Sequence, residues 1–240
     1  MLNGLDLFSG YGGISLGLEK WVRPVAYCEQ DRYAQHIILS RQAENKLAKS
    51  PIWDDVRTLD GYQLKGKIDI LYGGFPCQDL SVAGNGKGLE GERSGLFYEI
   101  ERLVKEIKPP FVFLENVPAI RTRGLSEVVY SFTKMGYDTR WTCITASSVG
   151  APHKRERWFL LAHRDFSNTL RPGLERQREE PRIIEKENKT PSGHSGWKTE
   201  PNVGRVDNGT PHRVDRIKSL GNGVVPQQVE KAFKILMGLT

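Results

Sequence analysis

Short apolar runs alternate with stretches of helical periodicity over the first two thirds of the chain. Leu5-Asp6-Leu7-Phe8 reads as a strand and residues 14–20 as the helix that follows it. Pro24 to Cys28 forms a second strand pattern, with a helix over 32–49. Residues 68–72 make a third strand. From 95 to 107, Leu96, Ile100, Leu103, Val104 and Ile107 recur at helical spacing, and Pro109-Pro110 ends the run because proline cannot continue a helix. Phe111-Val112-Phe113-Leu114 is apolar on both faces, as a strand inside a parallel sheet must be. A helix over 125–135 and a final pair of strands, 138–144 and 158–162, complete the series. This rhythm predicts an α/β fold, a Rossmann-like, doubly wound sheet with helices on both faces.

The character changes after His163. Apolar anchors thin out, while charges, glycines and prolines accumulate up to about His212. Residues 174–189 suit either a solvated helix or a disordered segment. An amphipathic helix over 227–239, with Val229, Phe233 and Leu236 on one face, closes the chain. The expected organisation is therefore a main α/β domain at 1–163, a short irregular region at 164–212, and a C-terminal segment at 213–240 that packs back on the first. No internal repeat is visible.

Composition narrows the class. A chain of 240 residues fits one domain with a small appendage and buries enough surface to need no covalent staple. Its 3 cysteines include no Cys-x-x-Cys pair, which argues against a zinc site or a disulfide framework. A reducing, cytoplasmic setting is the simplest expectation. The first residues lack the basic and apolar regions of a signal peptide. No run approaches the roughly 18 apolar residues of a membrane span. The formal net charge of +6 suits a polyanionic partner, although a solvated basic surface would give the same number.

Four motifs carry chemistry. After the first strand comes Phe8-Ser9-Gly10-Tyr11-Gly12-Gly13, where glycines let the backbone approach a ligand at a helix start. The order is Phe-x-Gly-x-Gly-Gly, which differs from the Gly-x-Gly-x-x-Gly of dinucleotide binders and points to a smaller adenosine cofactor. Glu29, at the end of the second strand, is placed to accept ribose hydroxyls, and Asp55 follows in a loop. Alone, this cluster equally suits an ordinary turn with surface acids. Phe75-Pro76-Cys77-Gln78 follows the third strand and opens into a glycine-rich stretch. It presents a cysteine at a strand end, where a thiolate nucleophile can reach a substrate. Glu115-Asn116-Val117 ends the next strand, on the same side of a parallel sheet. A thiolate beside an acid suits addition to an electron-poor ring with proton donation to a ring nitrogen. Arg155 and Arg157 alternate just before the last strand, so they point the same way; charges there would also defend a strand edge.

Taken in order, these motifs, with residues 93–104 and Gly221-Asn222-Gly223-Val224-Val225-Pro226, resemble the DNA (cytosine-5) methyltransferases. The resemblance covers most of 5–163 and 213–240. It implies S-adenosylmethionine as cofactor, converted to S-adenosylhomocysteine. Phe8, Gly10, Gly12 and Gly13 would wrap it, Glu29 would take the ribose, and Asp55 and Val56 would meet the adenine. Pro76, Leu96, Asn222 and Val224 would complete the pocket. It also implies that Cys77 adds to carbon 6 of a cytosine flipped out of duplex DNA, which activates carbon 5. Glu115 would protonate or hydrogen-bond N3, Arg157 would hold O2, and Arg155 would support Cys77 or Glu115. Residues 78–93 would form a lid, with Ser81 and Arg93 touching DNA. No metal is implied. A monomer acting on double-stranded DNA is expected, with a restriction endonuclease as a possible partner.

The chain departs from the family pattern in three places. Gln30 stands where an apolar or aromatic residue often meets adenine, and His153 replaces a common glutamine. The recognition region at 164–212 is much shorter than usual, which resembles compact phage or prophage members. Trp197, Lys198, Asn202, Arg205, Asn208 and Arg213 are its candidate base or phosphate contacts. An RNA cytosine methyltransferase of the same fold is disfavoured, because those relatives carry an additional Cys-Phe-Thr and no cysteine follows Cys143 here. A non-catalytic scaffold is disfavoured by Cys77, Glu115, Arg157 and Asn222 occurring together. The absence of an Asn/Asp-Pro-Pro-Tyr motif argues against an adenine methyltransferase.

Overall fold

The computed structural model describes residues 1–75, 95–164 and 223–239. Pro76, Cys77, Ser81, Arg93, Trp197, Arg205, Arg213 and Asn222 therefore lie outside the described residues, as do the 78–93 and 174–189 segments. A seven-stranded sheet runs in the order β3-β2-β1-β4-β5-β7-β6. Its strands are β1 (Leu2–Leu7), β2 (Val22–Cys28), β3 (Ile52–Trp53), β4 (Ile70–Gly74), β5 (Phe111–Asn116), β6 (Asp138–Thr145) and β7 (Glu156–His163). The helices are α1 (Gly13–Leu18), α2 (Arg32–Ala43), α3 (Gly95–Ile107), α4 (Ile120–Arg123), α5 (Leu125–Lys134) and α6 (Pro226–Met237).

The two-faced apolar pattern of the central strands translates directly into two cores. Leu71, Val112 and Leu114 join Leu103, Val104 and Phe132 on one face. Ile70, Tyr72 and Phe113 face the other way, towards Leu18, Val229 and Phe233. There Phe113 stacks on Phe159 at 5.8 Å and meets Phe233 edge-on at 5.5 Å between ring centroids. The sheet is thus covered on both sides, as its parallel strands require.

α6 docks by a buried polar contact as well as by apolar packing. The Gln228 side chain is fully buried and its Nε2 donates to the carbonyls of Ile144 and Arg155, at 2.7 and 2.8 Å. Pro226 opens this helix at a position where its missing N–H costs nothing. α1 approaches α6 closely enough that a Cβ on Gly17 would lie 2.5 Å from Val229 Cβ.

The structure differs from the sequence expectation in several places. α2 stops at Ala43 instead of running to 49, because the chain turns through Asn45 with φ +56°. β3 has only two residues and carries no alternating pattern; it forms by pairing with the end of β2. β5 extends through Glu115 and Asn116. β7 is antiparallel to both β5 and β6. The 146–155 connection between β6 and β7 holds one short 3₁₀ turn, too little chain for the crossover that a parallel pair needs.

Candidate functional site

A cleft of about 640 Å³ opens at the carboxyl ends of β1, β2, β4 and β5. Its floor is the turn after β1. Phe8 adopts φ +52°, Gly10 +54° and Gly12 +79°, so the backbone reverses through left-handed conformations that only glycine adopts freely. Holding Phe8 there costs on the order of 1–3 kcal/mol. Ser9 offsets part of this, since its hydroxyl donates to the carbonyls of Asp6 and Cys28 at 2.9 and 3.3 Å. A Cβ on Gly10 would meet nothing within 4 Å, so this backbone stands open to the cleft. Gly13 also lines the cleft. Gly12 does not: it faces Leu47, whose side chain leaves no room for a Cβ, and it serves the turn.

Glu29 follows β2 and is fixed by its neighbours. Its Oε2 accepts from Gly10 N and its Oε1 from Asp31 N, each at 2.7 Å. Burial raises its pKa, and these backbone N–H groups counter part of the rise. Each carboxylate oxygen keeps lone-pair capacity for a ligand hydroxyl. Asp55 and Val56 form the wall opposite, with Leu96 from α3 and Val224 near the chain end. Asp55 also caps a short 3₁₀ turn by accepting from Arg57 N. Gln30 lines the same wall. Cys28 lies behind it, with its thiol pushed up to about 12 by burial, so it stays neutral and acts as apolar wall.

Glu115 and Arg157 line the same cleft. β4 and β5 pair in parallel with Gly74 opposite Glu115, and a Cβ on Gly74 would stand 2.6 Å from Glu115 Oε2. Glycine is therefore required beside the carboxylate. β7 brings Arg157 across, and its Nε lies 2.9 Å from Glu115 Oε1, with both side chains about 90% buried. Burial raises the Glu115 pKa to about 7 against the lowering pull of Arg157 and Arg155. Arg155 has φ +23° and donates from its guanidinium to the Gly223 carbonyl. The segment that leads to Pro76 and Cys77 is held firmly. Asn116 Nδ2 donates to the Phe75 carbonyl at 3.0 Å, and the Phe75 ring lies 5.5 Å from that of Phe97.

Of the residues expected from sequence, Phe8, Gly10, Gly13, Glu29, Asp55, Val56, Leu96, Glu115, Arg157 and Val224 all border this one cleft. Arg155 reaches its edge through Gly223. Sequence reasoning did not assign Tyr11, Asp31, Asn116 or Gly223, which also line it. Asn116 and Gly223 each adjoin a residue that was singled out, so adjacency at a strand end or turn was the available signal. Tyr11 sits in the variable slot between two glycines, where spacing says nothing about a side chain.

Known proteins place this architecture. The sequence profile of the C-5 cytosine-specific DNA methylases matches residues 2–220. The chain is 34% identical over 230 residues to type II methyltransferase M.CviJI of Paramecium bursaria Chlorella virus IL3A, covering 95% of this chain and 58% of that protein. It is also 34% identical over 173 residues to M.HhaI of Haemophilus parahaemolyticus, covering 68% of this chain and 50% of the other. Among solved structures, a methyltransferase encoded in an Escherichia coli prophage superposes with a TM-score of 0.54 at 28% identity, covering 77% of this chain and 52% of that one. Spodoptera frugiperda DNMT2 superposes with a TM-score of 0.60 at 19% identity, covering 80% of this chain and 57% of the other; that likeness is one of fold. The chain spans about half the length of the relatives it matches. A profile match over nearly the whole chain and a shared fold, found beside a cleft that joins the glycine turn to Glu115, establish that this chain belongs to the C-5 cytosine-specific DNA methylase family.

Proposed function

We propose that this chain is a DNA (cytosine-5) methyltransferase that uses S-adenosylmethionine. The observation that carries the reading is a single cleft lined both by Glu29 and the glycine turn and by the Glu115–Arg157 pair. A cofactor and a reacting base can then meet inside one enclosure. The residues fit an adenosyl group: an anchored carboxylate suits ribose hydroxyls, and an open glycine backbone leaves room for the chain of the ligand. When bound, S-adenosylmethionine supplies an electrophilic methyl group.

The protein's own groups do the rest. Cys77 is the nucleophile that adds to carbon 6 of a flipped cytosine, and it leaves again when a base takes the carbon-5 proton and the 5,6 double bond re-forms. Glu115 holds a proton near neutrality because it is buried, and it gives or shares that proton at N3. Arg157, braced against Glu115, faces the base and holds O2, and Arg155 fixes the chain at Gly223 beside it. Enclosure strengthens each of these interactions by excluding water. In this reading residues 1–163 form the catalytic domain, 164–212 read the DNA with Trp197 and Arg205, joined by the adjoining Arg213, and 213–240 complete the pocket with Asn222 and Val224. Residues 78–93, with Ser81 and Arg93, close over the base. No helix among the described residues is long and apolar enough to cross a membrane. The enzyme is proposed to act on duplex DNA in the cytoplasm, as a monomer, within a restriction-modification system.

Bisulfite sequencing of plasmid from cells that express the chain tests this directly, beside the Cys77→Ser variant. Protected cytosines in one short sequence context, absent from the variant, are expected. An unmethylated plasmid, with purified protein that still binds S-adenosylmethionine, would overturn the DNA substrate.

A further inference from the structure

Tyr11 is the residue at the cleft for which neither the glycine motif nor the proposed chemistry has a use. It lines the cavity, and two segments distant from the turn converge on it, α2 and residues 223–224. Arg41 of α2 lies over the ring, with its guanidinium carbon 4.9 Å from the centroid, and also donates to the Tyr11 carbonyl at 2.6 Å. On the other side the Tyr11 hydroxyl donates to the carbonyl of Val224. Gly223 packs so tightly on the ring that a Cβ there would overlap it. The Gly223 carbonyl is in turn the acceptor for Arg155, and the Arg155 carbonyl accepts from buried Gln228 of α6.

The consequence is mechanical. Val224 is one wall of the cofactor half of the cleft, and it arrives from a segment distant in sequence from the glycine turn. Besides the apolar packing that it shares with Ile14, Val224 is attached to that turn through the Tyr11 hydroxyl and the Gly223–ring contact. Arg41, held on α2, keeps the ring from swinging away. α2 itself starts beside Glu29, since its cap Asp31 donates its backbone N–H to that carboxylate. The ribose acid, the glycine turn and the C-terminal wall therefore share one chain of contacts that passes through Tyr11.

We propose that Tyr11 is a positioning residue that latches the 223–224 segment onto the glycine turn and so sets the affinity for S-adenosylmethionine. This rests on the methyltransferase reading above. The latch acts on binding, because it holds a wall rather than a reacting group. A hydroxyl-to-carbonyl hydrogen bond contributes about 1 kcal/mol net, which corresponds to roughly fivefold in affinity.

The test is titration calorimetry of S-adenosylmethionine and S-adenosylhomocysteine into the full chain, as wild type and Tyr11→Phe. The substitution keeps the ring, the Arg41 contact and the Gly223 packing and removes only the hydroxyl. The expected result is about fivefold weaker binding of both ligands. In turnover assays the loss should fall on KM for the cofactor, with a smaller change in kcat and none in KM for DNA. Arg41→Met should weaken cofactor binding in the same direction. The double variant should then lose less than the product of the two single losses, because both act through one ring. Wild-type affinity in Tyr11→Phe overturns the latch, as does a loss in kcat alone. Failure of the wild type to bind either ligand would instead sink the methyltransferase reading, and the latch with it.

Discussion

Asp6 provides a test of how the floor of the site is built. Its side chain is 1% exposed; Oδ2 accepts from Ser15 Oγ at 2.5 Å, while Oδ1 is buried with no hydrogen-bond partner. Ser15 also meets the Tyr72 hydroxyl at 2.7 Å. A carboxylate so placed has lost its water and gained one hydrogen bond. Burial raises its pKa from 3.8 to about 7 despite Ser15, and Glu29 adds to the rise. Because the folded value lies above the unfolded one, this stabilising contribution is complete below about pH 4 and is lost as pH rises through about 7. A shift of roughly three units at 1.36 kcal/mol per unit amounts to about 4 kcal/mol. Asp6→Asn removes the titration. Its oxygen can still accept from Ser15, but its NH₂ takes the place of the unpartnered Oδ1, at a cost of about 1–3 kcal/mol. The variant should therefore be less stable than wild type near pH 4 and more stable near pH 8. The difference should swing by roughly 4 kcal/mol. Urea unfolding across pH 4–8, followed by tryptophan fluorescence, reads this out. Glu115 titrates in the same window but cancels in the comparison, since both proteins carry it, whereas the charge of Glu29 enters the swing through its coupling to Asp6. A stability difference independent of pH would refute the argument and mean that Asp6 is solvated or ionised in the fold.

Glu115→Gln keeps the shape of the group at β5 but removes its transferable proton. Single-turnover methyl transfer should fall by about 10²-fold or more, with S-adenosylmethionine affinity within about twofold. Since the Glu115 pKa is raised to about 7, wild-type turnover should decline as pH rises through that value. Activity that is flat into the alkaline range would remove Glu115 from proton donation. Arg102 ties the turn at residues 56–59 to α3, donating to the carbonyls of Val56 and Leu59 at 2.9 and 3.0 Å and to Glu99 and Glu106 at 2.7 and 2.8 Å. Arg102→Met should cost about 1–3 kcal/mol of stability and weaken cofactor binding severalfold; unaltered calorimetry would show that the Asp55–Val56 wall holds its place without this tie.

How much of this was legible in the chain itself follows from the range over which each signal acts. Helical and two-faced apolar periodicity is local, so α3 and the buried strands β4 and β5 could be placed from it. The ordered motifs named Glu29, Glu115, Arg157 and the glycine turn, because chemistry at strand ends demands particular residue types. Other features depend on long-range pairing that periodicity does not encode. β3 has no pattern of its own and exists because β2 offers an edge. β7 runs antiparallel between β5 and β6 because the connection before it is short, and that placement alone brings Arg157 to Glu115.

Tyr11 and Asp6 mark the same boundary. One reads as a filler between glycines and the other as an ordinary strand acid. Tyr11 acquires its contacts from Arg41 and from residues more than two hundred positions away, and Asp6 loses its water to packing around β1. Local pattern in the chain fixes which side chains are available and which strongly periodic segments form strands and helices. Tertiary structure decided which of those side chains meet and how far each is removed from water, since burial and distance set interaction strength and neither is defined until the layers close.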